Sequence, residues 1–226
     1  MLQKTEAISL SYIKFKESSI IAKFFTDKFG LQSFLVNGVR TAKSKTPLGF
    51  FQPFQILEVV QYHKEGKDLQ RLVELKPGVA LSSLHFHAAK SAQAMFMAEL
   101  VSKVIQEGQA NTSLFKMISD WILELDQSQK GFESFHIRLI WNMLQPLGIT
   151  PESWQDIFSK NGNAEIEYKH KSEAFFNSVI SNSPTPFHLD NETRQVILDR
   201  LIGYMQLHLN GIGHLKSITV LREVFN

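Results

Sequence analysis

The stretch Leu69-Gln-Arg-Leu-Val-Glu-Leu-Lys-Pro-Gly78 divides the chain into two regimes. Leu69, Arg71, Val73 and Leu75 follow the period of two that a β-strand imposes, and Pro77-Gly78 ends the run. Downstream, apolar residues recur every three or four positions. Upstream, they fall in short β-rich runs.

Working back from Leu69, Glu65-Gly66 closes a longer run from Phe51 to His63. Leu31 to Val36 and Ser19 to Thr26 are β-rich segments separated by Gly30. Ile8, Leu10 and Tyr12 alternate with Ala7, Ser9 and Ser11. Five short strands in about 75 residues are too few for a sandwich and suit a small closed barrel, of which the five-stranded OB-fold is the commonest kind.

Working forward, residues 84–107 predict a long helix whose Ala92, Met95, Phe96, Glu99, Leu100, Lys103 and Val104 keep 3.6-residue spacing until Gly108. Asn111 offers a cap to a second helix with the stripe Leu114, Ile118, Trp121, Ile122 and Leu125. A third runs from about Phe132 to Gln145. Thr150-Pro151-Glu152 reads as the start of a short helix. Residues 159–188 are the least regular, with an alternating segment around Glu165 to Lys171 and the loop Asn182-Ser-Pro-Thr-Pro. Asp190 caps a long helix to about Asn210, and Ser217 starts a terminal one. The expectation is an α+β chain: an OB-fold barrel over residues 1–80, then a helical domain over 81–226 with an irregular insert at about 148–188.

The chain has 226 residues, 43% hydrophobic and 20% charged, enough to bury a core and remain soluble. No apolar run is long enough to span a membrane, and the N-terminus lacks the apolar core of a signal peptide. There is no cysteine, hence no disulfide, thiolate nucleophile or cysteine-ligated zinc. A cytoplasmic location, in association with the nucleoid, is the expectation. The net charge of +2 conceals an asymmetry: residues 1–80 hold 12 Lys and Arg against 7 Asp and Glu, and residues 81–226 hold 12 against 15. An anionic partner for the front half would account for it.

Signatures of catalysis are missing from the sequence. There is no G-x-x-x-x-G-K-[ST] loop, no G-x-S-x-G elbow and no H-E-x-x-H, and Gly211-Ile-Gly213 lacks the rest of a dinucleotide fingerprint. The pair His85 and His87 has no Asp, Glu or Cys within ten residues to complete a metal site. Glu165, Glu167 and His170 in an alternating segment read as a solvated face. The expectation is a binding protein with no catalytic residues, no metal and no cofactor.

The chemistry concentrates in Asn37-Gly-Val-Arg40-Thr-Ala-Lys43-Ser44-Lys45-Thr46, between the third and fourth strands. Arg40, Lys43 and Lys45 among Ser and Thr are the side chains that contact phosphate oxygens. A solvated loop with ordinary surface lysines has the same composition. Lys14 and Lys16 at the first turn and Lys23 on the second strand extend the field along the barrel. Single-strand binders add aromatic platforms; Phe15, Phe29 and Phe50, at strand ends, are candidates for exposed rings, though core or barrel-plug roles suit them too.

At this loop the sequence resembles the bacterial DNA repair protein RecO family. The resemblance rests on Phe25-Thr26, Phe29-Gly30-Leu31, Gly38-Val-Arg40, Lys43-Ser44 and Gln52-Pro53-Phe54, and continues into Ala98-Glu99-Leu100-Val-Ser-Lys103 and Leu215-Lys216-Ser217. It implies an N-terminal OB-fold and a helical domain, binding of single- and double-stranded DNA, annealing of complementary strands, and cooperation with RecR and the single-strand-binding protein so that RecA loads at gaps. The acidic, aromatic tail of single-strand-binding proteins needs an apolar pocket rimmed by Lys or Arg, and Lys103 and Arg138 are rim candidates; a solvated face is the alternative for each. Many relatives carry a four-cysteine zinc module after the third helix. Here residues 148–180 contain no cysteine; packing of Trp154, Phe158, Tyr168, Phe175 and Phe176 is the expected substitute, with loss of the module as the alternative. The competing function is an OB-fold adaptor that binds protein partners without touching DNA.

Overall fold

The computed structural model describes residues 1–41, 44, 46–158, 166–181 and 189–225. Five strands, β1 (Leu2–Phe15), β2 (Ser19–Thr26), β3 (Gly30–Val36), β4 (Ile56–Tyr62) and β5 (Leu69–Pro77), close into a barrel in the order β1-β2-β3-β5-β4. All neighbours are antiparallel except β3 and β5, which pair in parallel over Ser33–Leu35 and Leu69–Arg71. The expected OB-type barrel is present.

The strand alternation has a different meaning from the one its sequence suggests. Ala7, Ile20, Ala22, Phe24, Phe34, Val36, Leu57 and Val59 fill the barrel, with Val39 and Phe51 added from the β3–β4 connection. On the outer side of the same wall, Ile8, Leu10, Phe25, Leu31, Phe54 and Ile56 belong to a second core shared with the helices. Phe25 meets Phe115 at 5.5 Å between ring centroids, and Phe54 meets Trp121 edge-on at 5.8 Å. Residues 7–10 are therefore buried on both faces, and neither face of this part of β1 is wet.

The run Phe51–His63 is a strand only from Ile56 onward. Leu48–Phe51 forms a 3-10 turn that delivers Phe51 to the barrel interior. Phe54 adopts a left-handed backbone with φ 63° and donates its amide to the Ser9 carbonyl at 2.7 Å. A non-glycine residue there costs roughly 1–2 kcal/mol, which burial of its ring offsets.

Among the described residues there are six α-helices: α1 (Ala88–Val104), α2 (Thr112–Gln127), α3 (Phe135–Met143), α4 (Ile166–Ile180), α5 (Asn191–His208) and α6 (Ser217–Phe225). Asn111 accepts from the Leu114 amide at 2.9 Å and Asp190 from the Thr193 amide at 2.8 Å, so both expected caps form. The start expected at Thr150-Pro151 is instead a 3-10 turn, Trp154–Phe158, with Asp156 accepting from the Ser153 amide. Helix α4 replaces the alternating segment read around residue 165; His170 lies exposed on it, while Glu165, the side chain of Glu167 and the loop at 182–186 lie outside the described residues. The aromatic cluster expected here is largely present: Trp154 stacks on Phe176 at 5.8 Å, Phe158 and Phe175 flank them, and Trp141 joins at 4.7 Å. Tyr168 stands apart and bonds Glu192.

The hinge from barrel to α1 is rigidly held. The Asp126 carboxylate at the end of α2 accepts the amides of Ser82, Ser83 and Leu84 at 3.0, 2.8 and 2.7 Å. Burial pushes its pKa up, but those amides outweigh it and hold the carboxyl below its ordinary range. Lys90, also buried, spends its three N–H bonds on Ser83 Oγ and the carbonyls of Asp126 and Ser128.

His136 on α3 is buried between Phe96 and Phe225. The Gln93 side-chain oxygen accepts from the His136 amide at 3.0 Å and lies 3.1 Å from Nδ1. Burial, with the nearby Arg194 cation adding to it, lowers the imidazole pKa to about 3. The unfolded chain takes up a proton on this ring below pH 6.5 and the folded chain does not, so stability is full above that pH and falls as pH drops toward 3. Between pH 7.5 and 5 the loss from this group is about 2 kcal/mol. Urea unfolding of wild type and His136→Gln at the two pH values should show that difference in the wild type alone.

Candidate nucleic-acid interface

Lys14, Lys16 and Arg40 meet at one end of the barrel. Lys14 lies near the end of β1 opposite Ile20, and Lys16 follows in the β1–β2 turn with φ 51°. The β3–β4 connection folds back onto that turn: the Arg40 amide donates to Ser18 O at 3.0 Å and its guanidinium to Lys16 O at 3.3 Å. All three side chains are exposed, and among the described residues none forms an ion pair. Glu17 is the one acid in the turn. Elsewhere on the barrel Lys4 pairs with Glu58 and Lys76 with Glu74, both at 2.7 Å. Lys43 and Lys45 lie outside the described residues; Ser44 between them hydrogen-bonds Thr46 O.

The structure places Lys23 elsewhere. It sits three residues along β2 from Ile20, on the wall toward the α1–α2 loop, 3.7 Å from the Glu107 carboxylate. The candidate rings are not platforms: Phe15 is half-buried beneath the Lys16 ammonium, Phe29 stacks on His63 at 4.0 Å at the far end, and Phe50 packs against the barrel core. Among the described residues the most exposed aromatic ring is Phe86, 84% exposed in the hinge turn. The sequence offered one sign of it, a lone aromatic between two histidines in a serine-rich hinge. Those histidines face different neighbours, His85 Nε2 lying 2.9 Å from Pro53 O and His87 edge-on to Phe132 at 5.2 Å. Among the described residues no three His, Cys, Asp or Glu side chains gather as a metal site.

Lys103 and Arg138 each line a groove, though not the same one. Lys103 donates to the carbonyls of Ile212 and His214 at 2.9 and 2.5 Å and borders a groove of about 720 Å³ between barrel, α1 and α6, floored by Tyr12, Pro53, Met95 and Val220. Arg138 pairs with Glu124 at 2.5 Å beside a groove of about 490 Å³ between α2 and α3, which also carries Asp120.

The motif residues themselves are mostly structural. Thr26 Oγ1 donates to Gly30 O at 2.9 Å and accepts the Phe29 amide at 3.1 Å, locking the β2–β3 turn. Gly30 has φ +66°, and a Cβ there would lie 2.1 Å from Gln109 O, because the α1–α2 loop docks directly on this turn. In Gly38-Val39-Arg40, Val39 is buried in the barrel and Arg40 alone faces solvent.

A five-stranded barrel with one unpaired cationic end, built onto a helical body through a shared core, defines a protein of the OB-fold type. Comparison with known proteins takes this further. Residues 1–78 match the family description "Recombination protein O N terminal", and residues 85–203 match "Recombination protein O C terminal". The chain is 31% identical to the DNA repair protein RecO of Flavobacterium psychrophilum and 30% to that of Flavobacterium johnsoniae, in each case over 99% of both chains. It is 29% identical to the RecO of Bacteroides fragilis over the whole of both. The chain belongs to the recombination protein O family, and its role is in DNA repair. Among the described residues no helix is long and apolar enough to cross a membrane.

The two motif glycines separate by experiment. Gly30→Ala should cost about 2–4 kcal/mol, since a strained backbone is joined by collision with the Gln109 carbonyl. Gly38→Ala, with φ +72° and open space around it, should cost only about 1–2 kcal/mol. Urea unfolding of both variants checks the order.

Proposed function

We propose that this protein is a cytoplasmic, nucleoid-associated recombination mediator, not an enzyme, that binds single- and double-stranded DNA at the cationic end of its barrel. The observation that carries this is the convergence of Lys14, Lys16 and Arg40 without ion-pair partners, where the described lysines elsewhere on β1, β2 and β5 are paired. Lys43 and Lys45 belong to the same loop, whereas Lys23, paired with Glu107, lies apart from it. Residues 1–80 act as the DNA-binding unit and residues 81–226 as the helical domain. Two strands held on one basic surface repel each other less, so annealing of complements accelerates without ATP. RecR and the single-strand-binding protein are the partners, and RecA loading is the outcome.

Of the two grooves, the one bordered by Lys103 suits an acidic, aromatic tail better. Lys216 adds to its rim, and its one carboxylate, Glu99, already accepts the amides of Lys216 and Ser217. Asp120 and Glu124 make the Arg138 groove the poorer receptor.

The adaptor reading has its own support. Ile13, Ile21, Leu35, Arg71, Tyr62 and Leu2 are successive cross-strand partners on one row around the outside of the barrel. Ile13 is 63%, Leu2 53% and Tyr62 51% exposed. Such a row favours a protein, with RecR as our choice, on the barrel wall while DNA takes the end.

Combined Lys14→Glu, Lys16→Glu and Arg40→Glu substitution should leave the fold intact and weaken binding to a labelled single-stranded oligonucleotide. The magnitude of the slope of log K against log salt should fall by about 2, roughly 0.7 per lost contact. Wild type should speed annealing of complementary oligonucleotides, bare or coated with single-strand-binding protein, and deleting that protein's tail should abolish the effect on coated strands. No acceleration in any arm would leave the adaptor reading in its place.

A further inference from the structure

We infer that Phe86 is a base-stacking residue, a second contact for unpaired nucleotides that lies outside the barrel on the hinge between the two parts of the chain. The inference rests on the DNA-binding reading above and adds a site to it.

Phe86 is 84% exposed, yet its turn is among the most firmly fixed in the molecule. Asp126 binds the three amides that precede His85, Lys90 binds Ser83 Oγ, and the amides of Phe86 and His87 both return to Ser83 O, at 3.0 and 2.9 Å. On one side His85 is held against Pro53, and on the other His87 against Phe132. A large apolar ring is thus presented to water from a preorganised support, so little conformational entropy is lost when something covers it.

The surroundings indicate what covers it. A phenylalanine that anchors a protein partner is normally ringed by further apolar surface. Phe86 is flanked in sequence by Ser82, Ser83, His85 and His87, while Leu84 of the same turn is buried in the core. The one carboxylate that touches the turn, Asp126, is buried and saturated with amides. A lone ring in a polar setting without an exposed acid in the turn matches a base with its phosphates outside, since every base offers a π-face.

Continuity points the same way. The contact between His85 and Pro53 ties this turn to the end of the β3–β4 connection, whose beginning carries Arg40. From Arg40 to Pro53 is thirteen residues, at most about 45 Å even if fully extended, and the 3-10 turn at Leu48–Phe51 shortens the path. A single strand long enough to cover that distance would reach both the cationic barrel end and Phe86.

The test uses the full-length protein and a fluorescently labelled, mixed-sequence single-stranded oligonucleotide. Phe86→Ala should leave the melting temperature unchanged and weaken binding about fivefold to a hundredfold. The salt slope should stay that of wild type, because no phosphate contact is lost, and a blunt duplex, which offers no unpaired base, should bind as before. Phe86→Trp should restore affinity and show fluorescence quenching on binding beyond that of the three native tryptophans. Binding by Phe86→Ala within twofold of wild type overturns the inference, as does a loss confined to a protein partner. If Arg40→Glu weakens binding and Phe86→Ala does not, the inference falls alone; if neither weakens it, the DNA-binding reading falls with it.

Discussion

The double burial of one wall of the barrel constrains everything else in this protein. A strand with Ala7 facing one core and Ile8 the other has no solvent face to offer a ligand. The wall formed by residues 7–10 of β1, Phe25 and Ile56 is therefore closed to DNA. What remains is the end where β1 runs past the helices, together with the opposite wall of Ile13, Leu35 and Tyr62. The two parts of the chain are consequently not beads on a linker. They share apolar contacts such as Phe25 with Phe115, and the Asp126 and Lys90 hydrogen bonds stiffen the hinge between them. Hinge and barrel end should move as one body, with a fixed spacing between them.

The same constraint explains which parts of the fold the sequence made legible. Strands β2 and β3 and the stripe of α2 follow from local periodicity, because each buries a face whose period is its own. In β5 the alternating Leu69, Arg71 and Val73 are instead the exposed residues, while Gln70 is buried and Leu72 and Leu75 pack on the barrel core. The start of β4 was hidden because Phe51, Pro53 and Phe54 look like a continuation of an apolar strand. They are instead a 3-10 turn and a left-handed corner that send two rings into two different cores. Helix α4 was hidden for the opposite reason. Among its described residues few are buried, chiefly Ser172, Phe175 and Phe176, so its polar N-terminal half carries no stripe and tertiary contacts decide the conformation.

The candidate site was marked in the sequence by its charges, but its geometry was not. Arg40 stands out in sequence as a cation in a Gly- and Ser-containing loop, but only the return of that loop to Ser18 and Lys16 brings it to Lys14. Lys23 has equal claim by sequence, and Glu107, more than 80 residues away, takes it. Aromatic content was no guide, since Phe15, Phe29 and Phe50 all find partners. Exposure of Phe86 follows from the hydrogen bonds that hold its neighbours, and these come from Asp126 on α2, Lys90 on α1 and Pro53 in the β3–β4 connection.

The region after α3, which has no cysteine, is held together by aromatic packing. Trp154, Phe158, Phe175 and Phe176 are buried around one another, with Trp141 packed on Phe176. Burying four such side chains stabilises by roughly 1.5–3 kcal/mol each, and each ring pair adds about 0.5–1.5 kcal/mol. With four ring pairs the sum, about 8–18 kcal/mol, spans the about 10–16 kcal/mol that a structural zinc supplies. The two solutions differ in how they distribute the energy. A metal concentrates it at four ligands, so losing one ligand unfolds the module, whereas stacked rings share it among contacts that fail one at a time. Trp154 and Phe158 lie in the 3-10 turn and Phe175 and Phe176 on α4, so the cluster joins two segments that have few other apolar residues to hold them.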